Sequence, residues 1–278
     1  MNRALWWKAI VEARLLLAAS AVGLFAFFWL YIWLAEMVPL DALAIFLSAL
    51  PKVFEDMVGV PFAQVATTAG RIGLSYVDPV VLLVTGAWGI ARGSDSVSGE
   101  IDRGTMEMLL AQPVSRASLL LVHATVTTLG AAVIVAAGWL GLVAGAATVP
   151  LEPAVAAKIY LPSSLNLFAF TFFMAGLTTM VSSWDRQRWK TIGLVAAFYL
   201  IELVVEMVAR AVPKVAWLEY LTFRSAFEPH VIAARAIDDL PGAWTLSLQY
   251  SAVLLGLGVL CHAAASVIFS RRDIPAPL

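Results

Sequence analysis

The chain has 278 residues, of which 61% are hydrophobic and only 13% charged, with ten tryptophans and a formal net charge of −1. Ordinary globular domains carry about 25% charged residues, so a soluble enzyme of this length is excluded, and a charge near zero provides no basic field for nucleic acid. A mean hydropathy of +0.87 places the chain among polytopic membrane proteins of all-α architecture.

In chain order, residues 1–14 mix Arg3, Lys8, Glu12 and Arg14 with Leu5, Trp6, Trp7, Ile10 and Val11. Tryptophan and basic side chains together predict an amphipathic N-terminal helix lying in the membrane interface. Residues 15–35 form an uncharged run of 21 residues, enough to cross a bilayer core of about 30 Å. Its length and aromatic content read as a retained span rather than a signal peptide. Scattered charges follow, and short surface helices are expected over residues 40–50 and 53–60, broken by Pro51 and Pro61. The second span is read at residues 73–92, with Asp78-Pro79 marking an irregular entrance.

Residues 98–116, SGEIDRGTMEMLLAQPVSR, are the one charged, helix-forming stretch between two long apolar runs. On a helical wheel Glu100, Arg103, Gly104, Glu107 and Ala111 share one face and apolar residues fill most of the rest. A surface helix over residues 99–112 is therefore predicted. Pro113 stops it and Ser115 caps the helix that follows. The remaining spans are read at 117–147, 159–183, 191–211 and 245–270. Between the last two, residues 211–241 look interfacial, with Trp217, Tyr220, Phe223 and Phe227 among Lys214, Glu219, Arg224 and Glu228. The sole cysteine, Cys261, lies in an apolar run and reads as a small buried residue.

Charge asymmetry orients the six spans. If residues 1–14, 92–116, 184–190 and 271–278 share one side, their 54 residues hold 11 of the 18 Lys and Arg. Positive charge favours the cytoplasm in short loops, so both termini and residues 98–116 are expected there.

No nucleotide-cradling G-x-x-x-x-G-K-[ST] motif, H-E-x-x-H helix or G-x-S-x-G elbow is present, and His123, His230 and His262 are far apart. No catalytic residue, metal ligand or cofactor site is expected in this chain. Glu202, Glu206 and Arg210 interrupt the fifth span at i, i+4 and i+8 and so stack along one face. Glu202 lies about 17 Å beyond Thr191, where a charge costs about 2.5–3.5 kcal/mol unless it meets a cavity or partner. Two readings stay open: a polar lining for a conduction path or proton-linked site, or a Glu206–Arg210 pair at the rim with Glu202 bonded to a neighbouring helix. For residues 98–116 the alternatives are docking of a soluble partner, with Gly104 permitting close approach, and a plain solvated loop.

The same residues carry a family resemblance. The stretch resembles the G-E-x-x-x-G-T-L-E-L-L-L-x-x-P-[VL]-[ST]-R signature of type 2 permeases of ATP-binding-cassette (ABC) transporters, the membrane subunits of bacterial export systems. Gly99, Glu100, Gly104, Thr105, Glu107, Leu109, Leu110, Pro113, Val114, Ser115 and Arg116 match it. Met106 and Met108 replace leucines, and Val122-His123 stands where Gly-Lys is common. In size and signature the chain is similar to permeases such as that of the nitrous-oxide-reductase maturation system. The resemblance implies a half-transporter in the bacterial cytoplasmic membrane, surrounded by lipid, that pairs with a second copy or a homologous permease. Two copies of a soluble ABC ATPase, holding ATP and magnesium, would complete it. Glu100, Arg103, Gly104, Thr105, Glu107 and Pro113 would then form the ATPase-docking coupling helix, with Leu109 and Leu110 anchoring it. Glu202, Glu206 and Arg210 would line the translocation path or gate. The competing functions are a stand-alone ion-coupled carrier or channel, against which no inverted repeat relates residues 1–116 to 117–278, and a non-transporting membrane assembly subunit.

Overall fold

A computed structural model describes residues 3–272. Every regular element among them is helical: α1 (Arg3–Met37), α2 (Leu40–Ser48), α3 (Lys52–Val58), α4 (Phe62–Val65), α5 (Thr68–Leu74), α6 (Pro79–Asp95), α7 (Ser98–Asp102), α8 (Met106–Leu110), α9 (Arg116–Thr148), α10 (Leu161–Trp184), α11 (Arg188–Ala211), α12 (Pro229–Asp238) and α13 (Leu240–Arg271). Short 3-10 turns at Ser75–Val77, Ala157–Tyr160, Pro213–Leu221 and Phe223–Ala226 join several of them. Six segments are long and apolar enough to cross a membrane: α1, residues 68–95, α9, residues 157–184, α11 and α13. The protein is a multi-pass, all-α membrane protein. Alternation of six crossings puts residues 3 and 272 at the end of the bundle that carries α7 and α8, called here the near end.

Two differences from the sequence reading, and one agreement with it, have clear physical causes. Residues 3–14 do not form a separate interfacial helix; they are the first turns of α1, with Leu5, Ala9 and Ala13 on the same buried stripe that continues through Leu24, Phe28 and Ile32. Nothing between Arg3 and Gly23 breaks a helix, so hydrogen bonding runs straight through. Thr68–Asp95 is interrupted at the expected place, where the Asp78 carboxylate accepts from Val80 N–H at 2.8 Å and Pro79 opens α6. The aromatic segment is split: Trp217 and Tyr220 are exposed, whereas Phe223 and Phe227 are buried against Phe170 at 6.3 and 4.4 Å between ring centroids.

α10 is the central span and touches α6, α9, α11, α12 and α13. α1 lies along α9, with small residues setting the separation. A Cβ on Gly141 would fall 2.2 Å from the carbonyl oxygen of Phe25, and Gly138 and Gly145 meet Leu24, Phe28 and Ile32 in the same way. Buried Trp88 of α6 lies over Gly130 and donates its indole N–H to the Thr127 carbonyl at 3.0 Å. α2–α5, residues 213–227 and α12 gather at the far end.

Candidate functional site

Residues 98–116 form an elbow rather than one helix. α7 ends in a turn in which Thr105 N–H bonds the Glu100 carbonyl at 3.0 Å and Gly104 N–H bonds that of Ile101 at 2.9 Å, the paired bonds of a Schellman cap. Gly104 has φ +70° with open space around its Cα. Glycine meets the demand of this left-handed backbone, which other residues rarely adopt. The expected continuous helix over residues 99–112 is thus replaced by α7, the turn and α8.

The inner side of the elbow is tied to six different helices, α9 among them through Leu120. Glu100 is 4% exposed; it pairs with Lys8 of α1, accepts from Arg103 at 3.0 Å and accepts the Thr105 hydroxyl. Arg103 also pairs with Asp95 of α6, whose carboxylate holds the guanidinium firmly in its charged form. Ser98 bonds Ser182 of α10 at 3.0 Å and accepts from Thr191 of α11 at 3.0 Å. Met106 is buried with Leu120, Ala265 and Phe269, the last two on α13. Arg116 donates to the Phe269 carbonyl at 2.9 Å and lies over that ring. Leu109 and Leu110 are half-buried, so Met106 is the deeper anchor.

The outer side is free. Asp102, Arg103, Gly104, Glu107, Met108, Ala111, Gln112 and Pro113 are exposed; Met108 is 64% exposed. Among the described residues, neither Asp102 nor Glu107 has an ion-pair partner. Of the residues read as docking groups, Gly104, Glu107 and Pro113 therefore lie on the outer surface, while Arg103 is exposed but turned to Asp95 and Glu100. Glu100 faces inward and Thr105 is bonded to it.

Glu202, Glu206 and Arg210 do share one face of α11, and each meets the far-end segment. Residues 213–227 fold back along α11, so that Phe223 N–H reaches the Glu202 carboxylate at 3.2 Å, about 13 Å from the helix end. Non-helical backbone at that depth requires such a partner. Glu206 is buried between Arg210, at 3.1 Å, and Arg224. Arg210 also pairs with Glu228, approaches Glu219 at 3.4 Å and donates to the Met57 carbonyl at 3.0 Å. His230 is hydrogen-bonded through Nε2 to the Val58 carbonyl at 2.7 Å, and burial pushes its imidazole down to about 4. A cavity of about 350 Å³ lies beside these groups, lined in part by Asp56, Arg210, Glu219 and Glu228.

Sequence reasoning missed Lys8, Asp95, Ser182, Arg188, Arg224 and Glu228 as network members. A partial signal existed for Arg224: Glu202 and Glu206 against Arg210 leave the stack short of one positive charge, and the cations that follow are Lys214 and Arg224. Lys8 and Ser182 are distant in sequence and gave none.

A family model described as ABC-2 family transporter protein matches residues 7–274. The chain belongs to the ABC-2 transporter family. It is a membrane permease subunit of an ABC transporter, and membership implies an ABC ATPase subunit as partner. Comparison with curated proteins returns no match. The elbow of this ABC-2 permease joins an exposed acidic and apolar face to all six membrane-spanning segments, α9 included through the packing of Met106 on Leu120.

Proposed function

We propose that this permease docks its ATPase through the outer face of the elbow, centred on Glu107, Met108 and Asp102, and exports substrate outward as one half of a two-permease transporter. The observation that carries the reading is the two-sidedness of the elbow. Its inner side is tied to α1, α6, α9, α10, α11 and α13, while its outer side leaves two carboxylates without ion-pair partners among the described residues and an exposed methionine. A displacement imposed from outside therefore reaches six helices at once. Two carboxylates around an exposed Met108 suit a groove with a basic rim and apolar floor.

The near end faces the cytoplasm of a bacterial inner membrane on this reading. Eleven of the 18 Lys and Arg lie in the segments at that end, in keeping with positive charge favouring the inner side. Glu202, Glu206 and Arg210 hold the outer segment 213–227 against α11 and set the position of an outer gate. Their pairing with Phe223, Arg224 and Glu228 supports this over a proton-coupled carrier, because Glu206 is already balanced by two arginines.

The test is co-purification of the partner ABC ATPase with wild type and with Glu107→Arg. Charge reversal at the centre of the outer face should reduce ATPase recovery by about tenfold or more, with the permease expressed at its normal level. Equal recovery from both would reject docking through this face.

A further inference from the structure

A second near-end feature is not used by the docking reading. A cavity of about 340 Å³ opens between α1, α6, the elbow and the first turn of α11. Three guanidinium groups line it, Arg92, Arg103 and Arg188, with Asp95 and Glu12 between them and Leu16 and Ala91 as an apolar wall. Arg92 is 3% exposed, yet its Nε has no hydrogen-bond partner. Its contacts with Asp95 and the Ala9 carbonyl are long, at 3.5 and 3.4 Å. Arg188 reaches Asp95 at 3.5 Å and the Ala91 carbonyl at 3.3 Å.

The network is short of one negative charge. Lys8, Arg92, Arg103 and Arg188 are four cations, and Glu12, Asp95 and Glu100 are three anions. Asp95 Oδ1 is shared between Arg103 and Arg188. A buried arginine is stable only with its fork satisfied, and planar guanidinium groups match phosphate oxygens two at a time. The cavity volume admits a phosphate diester with room for its substituents.

The surroundings select the source of that phosphate. Trp7, Trp184 and Trp189 are exposed at this end of the bundle, the placement of aromatic side chains at headgroup depth. The apolar wall continues from Leu16 to Leu15, which is exposed on α1, so acyl chains can leave the cavity along the helix surface. Basic pockets between spans at the cytoplasmic level are suited to anionic headgroups. We propose that this cavity binds the phosphate of an anionic phospholipid, which completes the Arg92–Arg103–Arg188 cluster and braces the elbow through Arg103.

The full-length permease, purified in detergent without any ATPase, tests this separately from the docking reading. Native mass spectrometry and thermal unfolding would be followed during titration with phosphatidylglycerol, phosphatidylcholine or inorganic phosphate. Wild type should bind phosphatidylglycerol saturably and be stabilised by it, with phosphatidylcholine at least about tenfold weaker. Arg188→Gln should weaken phosphatidylglycerol by about tenfold, and Arg188→Lys, which keeps the charge but loses the fork, by less. Arg186→Gln, an equal charge change at an exposed neighbouring position, should bind as wild type. Equal binding by the Arg188 and Arg186 variants, or equal affinity for the two lipids, overturns the proposal. Stabilisation by inorganic phosphate at matching concentrations overturns the lipid source and leaves a free-anion site. If neither lipid nor phosphate binds, but added ATPase protects Arg92 and Arg188 from guanidine-directed labelling, an acidic partner side chain fills the site and the lipid proposal fails. If Arg188→Gln does not fold, the Arg188→Lys and Arg186→Gln comparison decides alone.

Discussion

Replacing Glu100 by Gln separates holding the elbow from docking a partner. The side chain is 4% exposed and faces Lys8 and Arg103 together. Removing one member of a buried ion pair commonly costs about 3–5 kcal/mol. Here the cost is reduced, because the Lys8 and Arg103 side chains are 34% and 41% exposed and can draw on water. Each also keeps a second acid, Glu12 at 2.8 Å from Lys8 and Asp95 beside Arg103. The amide still accepts the Thr105 hydroxyl. A loss of about 2 kcal/mol follows, read from denaturation in mixed micelles. Glu107→Arg, on the exposed face, should stay within about 0.5 kcal/mol of wild type in the same assay. Glu100→Gln with wild-type stability would refute the inward placement of this carboxylate.

Two further outcomes rest on other parts of the fold. Gly141→Ala forces α1 and α9 apart, because the new methyl would lie 2.2 Å from the Phe25 carbonyl oxygen; a destabilisation of about 1–3 kcal/mol is expected in mixed-micelle denaturation, and wild-type stability would rule out so close an approach. For His230, burial lowers the folded pKa to about 4 from 6.5. Above pH 6.5 both folded and unfolded chains hold the ring neutral and its contribution is complete. As pH falls from 6.5 towards 4 only the unfolded chain gains the proton, so stability drops by about 3 kcal/mol in all. His230→Gln should remove that slope from a stability–pH profile, and an unchanged slope would assign it to other groups.

The spans were legible because crossing a bilayer demands long uncharged runs, and no tertiary contact is needed to see Leu15 to Ala35 or the run after Ser115. Asp78-Pro79 was legible for a local reason, since the carboxylate caps the helix that the proline opens. The elbow was only half legible. A helical wheel assumes one continuous helix, and it put Glu100 and Glu107 on a common face; the left-handed turn at Gly104 rotates them apart, inward and outward. Gly104 followed by Thr105 carried the stop signal, but the apolar pattern on either side masked it. Phe223 and Phe227 read as interfacial because their neighbours Trp217 and Tyr220 are. Their burial depends on Glu202, 21 residues earlier, accepting a backbone N–H. Lys8 could not be matched to Glu100 from sequence, as the two are 92 residues apart.

The unbroken course of α1 has a mechanical corollary. Its 35 residues make a rod of about 52 Å, longer than the hydrocarbon thickness it crosses. One end is gripped by Glu100 in the elbow. At the other, Tyr31 donates to the Arg71 carbonyl at 3.2 Å and Trp29 to the Thr148 hydroxyl at 3.0 Å. Helical structure runs unbroken from Lys8 to Tyr31, through Gly23, so under the proposed docking α1 would act as a pushrod. A tilt begun at the elbow would then arrive at the opposite membrane face as a displacement of the α5 ledge, with the α9 groove as its guide rail.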